Sequence, residues 1–284
     1  MRPLLATIGC YLFSGKYQQA VKPSLSVEVF HNFTLMHDDI MDNAPLRRGQ
    51  DTVHEKWNDN VAILSGDAML VEAYQLLLAV PPELLPKAIA LFNHCALEVC
   101  EGQQFDMNFE EQESVSKEDY LNMIRLKTAA LLGFSLQLGA LLGGASDKQA
   151  QKLCDFGVKA GIGFQLKDDL LDVYGDKEKF GKQVGGDILA NKKTYLLLHA
   201  KEEASYGELG ERLRFWLEKD EQAGEEKVEA VTGIYNALGV KEATEQVMNA
   251  YFDEALQLLE EIEVPEERRR VLREFIQQLI ERDS

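Results

Sequence analysis

Two acidic motifs of nearly identical spacing stand out in the sequence. The first is Asp38-Asp39-Ile40-Met41-Asp42, and the second is Asp168-Asp169-Leu170-Leu171-Asp172. On a helix, residues i and i+4 lie on one face, so the first and last aspartate of each motif point the same way. Both motifs lie in apolar stretches, where unpaired carboxylates are costly. Hard divalent cations neutralise such groups best, so the pattern predicts two carboxylate faces, opposed across a cavity, that hold several Mg²⁺ ions and a polyphosphate.

Each acidic motif is followed by a segment rich in cations and glycine. Arg47 and Arg48 follow the first motif, and Lys182 and Lys192 follow the second. A lone motif of this kind usually marks a solvated helix face or a helix N-cap, and nearby basic residues can simply offset the helix dipole. The repetition, the shared apolar setting and the cations together favour flexible loops that close over a charged ligand.

Composition limits the classes of partner. The chain has 284 residues, enough for one large domain or two ordinary ones, and its 45% hydrophobic residues suffice for a sizeable core. Its formal net charge is -18 and its pI is about 4.7. Nucleic acid requires a basic surface, and anionic membranes attract basic segments, so neither is an expected partner. A phosphate-bearing ligand must therefore be held by local cations and metals.

The cysteines and one apolar segment bear on location. The four cysteines form no CxxC pair and no zinc-finger spacing with a histidine. We interpret them as reduced core thiols in a cytoplasmic protein. The uncharged segment 128–146 has the length of a membrane span, but it contains polar residues and several glycines within a helical pattern. We expect a buried core helix or a dimer-interface helix there, and no membrane span.

Apolar residues recur with helical spacing almost throughout the chain, and no convincing alternating strand is present. The predicted fold class is therefore all-α. No Gly/Ser linker or low-complexity tract marks a boundary, so we predict a single domain over residues 1–284. Helices are predicted at residues 4–13, 24–42, 61–79, 84–107, 118–144, 148–174, 192–204, 207–218, 223–237, 240–261 and 266–282.

The combined motifs resemble those of the trans-isoprenyl diphosphate synthases, which are all-α prenyltransferases. The similarity covers nearly the whole chain, and its motifs at this spacing are very specific. It includes both acidic motifs together with Arg2-Pro3, His31, His37, Arg47-Arg48-Gly49, Gly66-Asp67, Lys127-Thr128, Gly163 to Lys167, Gly181-Lys182, Gly186-Asp187 and Lys192. The resemblance implies an isoprenoid synthase-type helical bundle around a deep central cavity, usually as a homodimer.

The resemblance also implies a reaction between two diphosphates. An allylic diphosphate (dimethylallyl, geranyl or farnesyl diphosphate) ionises to diphosphate and a resonance-stabilised cation. The double bond of isopentenyl diphosphate attacks this cation, and loss of a proton to the released diphosphate gives a chain one isoprene unit longer. Metal ions and fixed cations stabilise the charge on the leaving group. The implied cofactor is Mg²⁺, as three ions, although Mn²⁺ also suits oxygen ligands.

Site residues are carried over from the family motifs one by one, and the six aspartates with Lys127 form the expected catalytic set. The implied metal ligands are first Asp38, Asp42 and Asp168, and then Asp39, Asp169 and Asp172 as further ligands or as partners of the ligands. The substrate residues form three groups: Arg47, Lys127 and Lys192, with Lys182 nearby, at the allylic diphosphate; Thr128 and Gln165 at the allylic cation; and Arg2, His31 and Arg48 at the diphosphate of isopentenyl diphosphate.

The cations also have ordinary structural explanations, and one part of the family pattern is absent. Lys127 could extend along an apolar helix, and His31 could be a hydrogen-bonded core histidine. The family has Gly-Lys-Arg-x-Arg-Pro near its N-terminus, whereas only Arg2-Pro3 remains here. We expect a truncated N-terminus, and impaired affinity for isopentenyl diphosphate if the protein begins at this residue.

The residues just before the first motif indicate the product. Phe33 and Thr34 lie four to five residues before Asp38, and one helical turn of about 5.4 Å would place them at the floor of the tunnel for the growing chain. A single aromatic residue here is typical of geranylgeranyl-forming members, and two aromatics are typical of farnesyl-forming ones. We predict geranylgeranyl diphosphate, with farnesyl diphosphate as the alternative. A residue in the helix predicted at 61–79 could instead close the tunnel.

Three other classes of protein remain as alternatives. A class I terpene cyclase shares the fold, but its second metal motif normally mixes Asn or Asp with Ser or Thr and Glu, unlike the full second motif here. A di-iron bundle needs two Glu-x-x-His motifs, and only Glu28 to His31 supplies one. A non-catalytic regulatory subunit usually has degraded acidic motifs. Both are intact here, and the absent N-terminal lysine is the only support for that class.

Overall fold

The computed structural model of the chain describes residues 1–175, 185–219 and 223–282. These residues form helices and one small hairpin, which confirms the all-α prediction. The helices are Arg2–Ser14, Gln18–Met41, Val53–Lys56, Asp59–Leu77, Leu85–Glu111, Lys117–Ile124, Ala130–Leu142, Asp147–Tyr174, Gly186–Leu189, Tyr195–Glu203, Glu208–Leu217, Gly224–Ala237, Val240–Glu260 and Glu266–Glu281, with a π-helical turn at Arg125–Ala129. In the hairpin, Leu46 pairs with Asp51 and Arg47 with Gln50, antiparallel.

The chain divides into two compact units, each with one acidic motif. The first unit consists of Met1–Val99, Ala130–Val158 and Gln257–Arg273. The second unit consists of Cys100–Ala129, Lys159–Leu256 and Glu274–Ser284. The single domain predicted from the sequence stays a prediction.

The apolar segment with the length of a membrane span is a core helix of the first unit, as one of the two alternatives predicted. Every residue of Ala130–Leu142 is buried. This helix packs against Arg2–Ser14, and a β-carbon on Gly139 would lie only 2.0 Å from the carbonyl oxygen of Ala6. Glycine therefore lets the two helix backbones approach closely. In the part of the chain that the structure describes, no helix is long and apolar enough to span a membrane.

The helix that carries the first acidic motif begins at Gln18, not at residue 24 as predicted. A proline ordinarily marks a helix end, but Pro23 lies inside this helix. A proline this close to the start removes one intrahelical hydrogen bond, and the burial of this helix offsets that loss. Its residue Phe30 is 1% exposed and packs edge-on against Phe92, with the ring centroids 5.2 Å apart.

A π-helical turn follows the helix Lys117–Ile124 in the second unit. The turn, Arg125–Ala129, carries Lys127 and Thr128. A β-carbon on Gly102 would lie 2.3 Å from the backbone nitrogen of Lys127, so the turn is packed against a second backbone. Such turns inside helices are uncommon and occur frequently at functional sites. The sequence pattern predicted one continuous helix over this region and gave no sign of the turn.

The remaining differences from the predicted helices are small. The predicted boundaries lie within several residues of the observed ones, apart from the helix that begins at Gln18. The short helices Val53–Lys56 and Gly186–Leu189 and the hairpin were not predicted, because segments of two to four residues show no periodicity. The four cysteines are free. Cys10 and Cys95 are buried and Cys154 is partly buried, whereas Cys100 is exposed, so the prediction of a core thiol was wrong for Cys100.

Candidate active site

The first acidic motif lies at the C-terminal end of the helix Gln18–Met41. Asp38 is partly buried and Asp42 is exposed, whereas Asp39 is only 6% exposed. The carboxylate of Asp39 accepts hydrogen bonds from Arg47, with Nε at 2.7 and 2.9 Å from its two oxygens and Nη2 at 2.6 Å. This hydrogen bond raises the pKa of the Arg47 guanidinium. The middle aspartate therefore anchors Arg47, which also lies 3.6 Å from Asp38.

A two-residue turn fixes the arginines that follow the motif. Arg48 and Gly49 form the turn, with φ values of 53° and 74°. Positive φ at both central residues is the geometry that short hairpins favour, because it matches the twist of the strands. Thr52 closes the segment by donating its hydroxyl to the carbonyl of Ala44 at 2.7 Å. The segment predicted as a flexible loop is thus a hairpin, which sets Arg47 beside Asp39.

Positive charges surround His31 in the first unit. Burial, and then the charges of Arg2, Arg48 and Arg47, lower the pKa of His31 to about 3. Burial also lowers the pKa of Arg2, although the charge of Glu28 opposes this shift. The buried Nε of Arg2 has no hydrogen-bond partner in the described residues. Guanidinium groups this close to a neutral imidazole form a site suited to an anion.

The two residues proposed to set chain length lie on the same helix as the first motif. Phe33 is partly buried and packs against the hydrophobic core of the first unit. Its ring centroid lies 5.6 Å from that of Phe30 and 4.7 Å from that of His37. Thr34 donates its hydroxyl to the carbonyl of His31 at 2.8 Å. The ring of Phe33 is therefore held in place by neighbours one turn away in each direction.

In the second motif the middle aspartate is again the buried one. Asp169 is 4% exposed and accepts hydrogen bonds from the hydroxyl of Tyr120 and from Nε2 of Gln165, the latter at 3.0 Å. Burial and the charge of Asp187 raise the pKa of Asp169 to about 7, although the two hydrogen bonds oppose the shift. Burial also raises the pKa of Tyr120, so its hydroxyl remains the donor.

The outer aspartates of the second motif have partners of different kinds. Asp168 accepts a hydrogen bond from Nη1 of Arg282 at 2.8 Å. The same guanidinium lies over the ring of Phe164, 5.2 Å from its centroid. Asp172 accepts a hydrogen bond from the backbone amide of Asp187 at 2.9 Å. This carboxylate face therefore has a cation at one end and a backbone donor at the other.

The charges of two of the predicted lysines act on one carboxylate. Nζ of Lys127 donates to Asp106 at 2.6 Å. Burial alone would raise the pKa of Asp106, but the charges of Lys192 and Lys127 together lower it. The structure thus brings Lys127 and Lys192 together in the second unit. Lys182 lies outside the described residues.

Thr128 and Gln165 also lie together, since Oγ1 of Thr128 donates to Oε1 of Gln165 at 3.3 Å.

Four residues contact the predicted site residues but were not predicted from the sequence: Asp106, Tyr120, Asp187 and Arg282. Asp187 belongs to the family motif Gly186-Asp187, so the sequence did point to this residue. The other three contact their partners across 21, 49 and 114 positions of the chain, and no local pattern points to them.

Comparison with known proteins shows which family combines these features. Residues 1–235 match the family described as Polyprenyl synthetase. The chain belongs to the polyprenyl synthetase family. It is similar to a geranylgeranyl pyrophosphate synthase from Geoglobus acetivorans, with 42% identity over 205 residues, which are 72% of this chain and 64% of that protein. The matched region thus spans less than two thirds of that relative.

Solved structures in the polyprenyl synthetase family share the fold. A crystal structure of a geranylgeranyl pyrophosphate synthase superposes with a TM-score of 0.94 at 42% identity, covering 100% of this chain and 87% of that one. A geranylgeranyl pyrophosphate synthase from Corynebacterium glutamicum, complexed with isoprenyl diphosphate and magnesium, gives a TM-score of 0.89 at 31% identity, covering 99% and 86%. The isoprenoid synthase fold predicted from the sequence is confirmed.

Mg²⁺ fits the carboxylate donors of both motifs. It prefers oxygen ligands and is usually held by one or two carboxylates together with water and substrate phosphates. Asp38 and Asp42 offer such a pair in the first unit, and Asp168 and Asp172 offer one in the second. Among the described residues, no three His, Cys, Asp or Glu side chains are grouped closely enough to hold a metal ion by themselves.

Proposed function

We propose that this protein is a short-chain trans-prenyltransferase that condenses isopentenyl diphosphate with an allylic diphosphate to give geranylgeranyl diphosphate. One observation carries the proposal: in a polyprenyl synthetase chain, both motifs keep their outer aspartates one helical turn apart, Asp38 with Asp42 and Asp168 with Asp172. The names of the similar proteins support geranylgeranyl diphosphate as the product. Farnesyl diphosphate is the alternative product.

The first step is the departure of diphosphate from the allylic substrate. Bound Mg²⁺, expected as three ions and replaceable by Mn²⁺, supplies positive charge to the leaving group. The family motifs assign Arg47 of the first unit, and Lys127 and Lys192 of the second, to the binding of this group. The contacts of Lys127 with Asp106 and of Arg47 with Asp39 hold these cations before the substrate arrives. Charges fixed in advance stabilise a leaving anion without reorganisation during the reaction.

The allylic cation is stabilised by two oxygen atoms of fixed orientation. Nε2 of Gln165 donates to the buried Asp169, and Oε1 of Gln165 accepts from Thr128. The buried carboxylate therefore sets which way the amide points, and the amide in turn orients the hydroxyl. The negative ends of these two dipoles stabilise the cation while the new bond forms.

The second diphosphate, that of isopentenyl diphosphate, binds at Arg2, His31 and Arg48. Burial and the neighbouring arginines lower the pKa of His31 to about 3, so its imidazole is neutral before the diphosphate binds. The charge that holds the diphosphate comes from the two arginines, which bind phosphate oxygens strongly. The released diphosphate accepts the proton that is lost at the end, so no side chain acts as the base.

The ring of Phe33 ends the hydrocarbon tunnel and, with Thr34, selects the product length. Its contacts with Phe30 and His37 fix the ring. A fixed aromatic ring is a firm stop for a growing chain, because the surrounding core is close-packed and yields little.

The proposed function is tested by incubating the purified protein with Mg²⁺, isopentenyl diphosphate and each of dimethylallyl, geranyl and farnesyl diphosphate, with products identified by mass. We expect elongation that stops at geranylgeranyl diphosphate and disappears with a chelator. Asp38→Asn and Asp168→Asn should each lower the rate by about 100-fold. Asp253→Asn, on an exposed helix position, is the control. A folded protein that elongates none of the three substrates would contradict the proposal.

The homodimer and the cytoplasmic location are also proposals. The helix Asp59–Leu77 exposes large apolar side chains, of which Leu64 is 68% and Val71 is 60% exposed. Such a face is suited to a second copy of the chain. Light scattering on the purified protein tests the dimer, and a monomeric mass would contradict it. The cytoplasmic location follows from the cysteine usage alone and is tested by cell fractionation.

A further inference from the structure

A fully buried lysine in the second unit has no part in the reaction proposed above. Lys227 lies on the helix Gly224–Ala237, and its side chain is 0% exposed. Lysine is almost never fully buried unless its ammonium group is paired, because removing that charge from water is costly. The contacts of this ammonium group therefore indicate what the residue does.

Lys227 binds the ends of two helices. Its Nζ donates to the carbonyl of Leu189 at 3.0 Å and to the carbonyl of Lys219 at 2.9 Å. Leu189 is the last residue of the short helix Gly186–Leu189, and Lys219 lies just beyond the helix Glu208–Leu217. A cation at a helix C-terminus satisfies carbonyls that have no intrahelical partner and opposes the helix dipole.

The other end of the short helix is attached to the second acidic motif. The backbone amide of Gly185 donates to the carbonyl of Asp172 at 2.6 Å, and the amide of Asp187 donates to the Asp172 carboxylate at 2.9 Å. The amide of Lys192 then donates to the carbonyl of Asp187 at 2.9 Å. The segment 185–192 thus connects Asp172, a proposed metal ligand, with Lys192, a proposed diphosphate ligand.

This segment needs support from outside, because a helix of four residues is not stable alone. Lys227 supports one end. Its neighbour Val228 supports the other, since a β-carbon on Gly185 would lie 2.6 Å from the Val228 side chain. Gly185 has φ +88°, a conformation that favours glycine. Two adjacent residues of one helix therefore hold the two ends of the short helix Gly186–Leu189.

We propose that Lys227 is a positioning residue for the second acidic motif. Through Leu189 it holds the segment 185–192, so that the amide of Asp187 orients the carboxylate of Asp172 and the carbonyl of Asp187 holds the amide of Lys192. This role deepens the proposed function and rests on it. The competing explanation is that Lys227 only caps two helices and contributes stability without affecting the motif.

Three variants separate the two explanations. Lys227→Met keeps the length of the side chain and removes the charge, and Lys227→Arg keeps the charge. Val231→Ala is the matched control. Val231 lies one turn further on the same helix and is 1% exposed, so truncating its side chain lowers the stability of the protein. Amide hydrogen exchange over residues 185–193 is measured on the metal-free protein, together with the melting temperature.

We expect the amides of Gly185 and Asp187 to exchange about tenfold faster in Lys227→Met than in Val231→Ala, after correction for global stability, and Lys227→Arg to restore most of the protection. The Mg²⁺ concentration at half-maximal activity should rise about tenfold in Lys227→Met. The KM for isopentenyl diphosphate should stay within about twofold, because Arg2, His31 and Arg48 belong to the first unit.

Equal exchange in Lys227→Met and Val231→Ala would overturn the proposal. If Lys227→Met does not fold, the same comparison with Lys227→Gln decides. Absence of prenyl transfer in the unmodified protein would instead contradict the proposed function, and the exchange measurement would still decide whether Lys227 orients the motif.

Discussion

The hydroxyl of Tyr120 donates a hydrogen bond to the carboxylate of Asp169 inside the second unit. Both side chains are buried, at 2% and 4% exposure. The bond explains how an aspartate of an acidic motif can point into a core, since a buried carboxylate requires donors. It also separates the roles within the motif: Asp169 orients Gln165, while Asp168 and Asp172 supply the oxygens proposed to bind metal.

Tyr120→Phe should destabilise the metal-free protein more at pH 8 than at pH 5.5. The pKa of Asp169 is about 7, and loss of a donor raises it further. In the variant, the pH range in which the folded state binds more protons than the unfolded state therefore extends to a higher pH. Throughout that range the free energy of unfolding falls as the pH rises. We expect a loss of about 1–3 kcal/mol at pH 8, measured by urea unfolding.

Tyr195→Phe serves as the control for this variant. Tyr195 is 6% exposed and lies in the same unit, and its hydroxyl has no hydrogen bond to the described residues. Similar losses in the two variants, or the same loss at both pH values for Tyr120→Phe, would contradict the role assigned to the bond.

Arg282→Gln should lower the Mg²⁺ concentration needed for binding. Arg282 donates to Asp168 at 2.8 Å and therefore competes with a metal ion for this carboxylate. A partly exposed pair is worth up to about 1 kcal/mol, so we expect a two- to fivefold shift, roughly. The shift is measured by titrating Mg²⁺ in the presence of inorganic diphosphate and following the melting temperature. Arg273→Gln, which removes a pair with Glu260 and Glu266, should leave the titration unchanged.

His31→Gln should make the protein less sensitive to acid. The pKa of His31 is about 3 in the folded state and 6.5 without the protein environment. Between pH 3 and pH 6.5, this histidine binds a proton in the unfolded chain but not in the folded chain. The contribution of the neutral His31 to the free energy of unfolding is therefore complete above pH 6.5 and is lost as the pH falls. The decrease in unfolding free energy from pH 7 to pH 5 should therefore be smaller in the variant. His94→Gln, at an exposed histidine, should keep the decrease of the unmodified protein.

Phe33→Ala should lengthen the main product by at least one isoprene unit, because the ring that ends the tunnel is removed. The variant also loses packing against Phe30 and His37, at a cost below the roughly 3–5 kcal/mol of a fully buried ring. Products are identified by mass after extraction. Phe156→Ala, which removes a fully buried ring elsewhere in the first unit, should lower stability without altering the product. An unchanged product spectrum in Phe33→Ala would refute this assignment of the tunnel floor.

The parts of the site that depend on local geometry could be predicted from the sequence. The face shared by Asp38 and Asp42 follows from helical spacing, and the observed helix places them one turn apart. The burial of Asp39 and Asp169 could not be predicted in the same way. The next residue on a helix lies about 100° around the axis, and only the surrounding packing decides which direction is the interior.

The contacts that the sequence could not predict are made by tertiary structure. Arg282 and Asp168 are 114 positions apart, and no repeat or spacing connects them. Lys227 is similar, because a lone lysine on an amphipathic helix usually faces solvent. The grouping of Arg2, His31 and Arg48 was expected only from the family resemblance, and in the structure the charges of both arginines act on His31.

The π-helical turn Arg125–Ala129 also determines which mutations this segment can tolerate during evolution. Replacing Leu126 by another apolar residue leaves the phase of the helix unchanged. Deleting one residue would allow the turn to close into an ordinary helix, and it would rotate Lys127 by about 100° away from Asp106. The number of residues in this segment is therefore constrained together with the identities of Lys127 and Thr128, and natural variants should show apolar substitutions at Leu126 but no insertions or deletions.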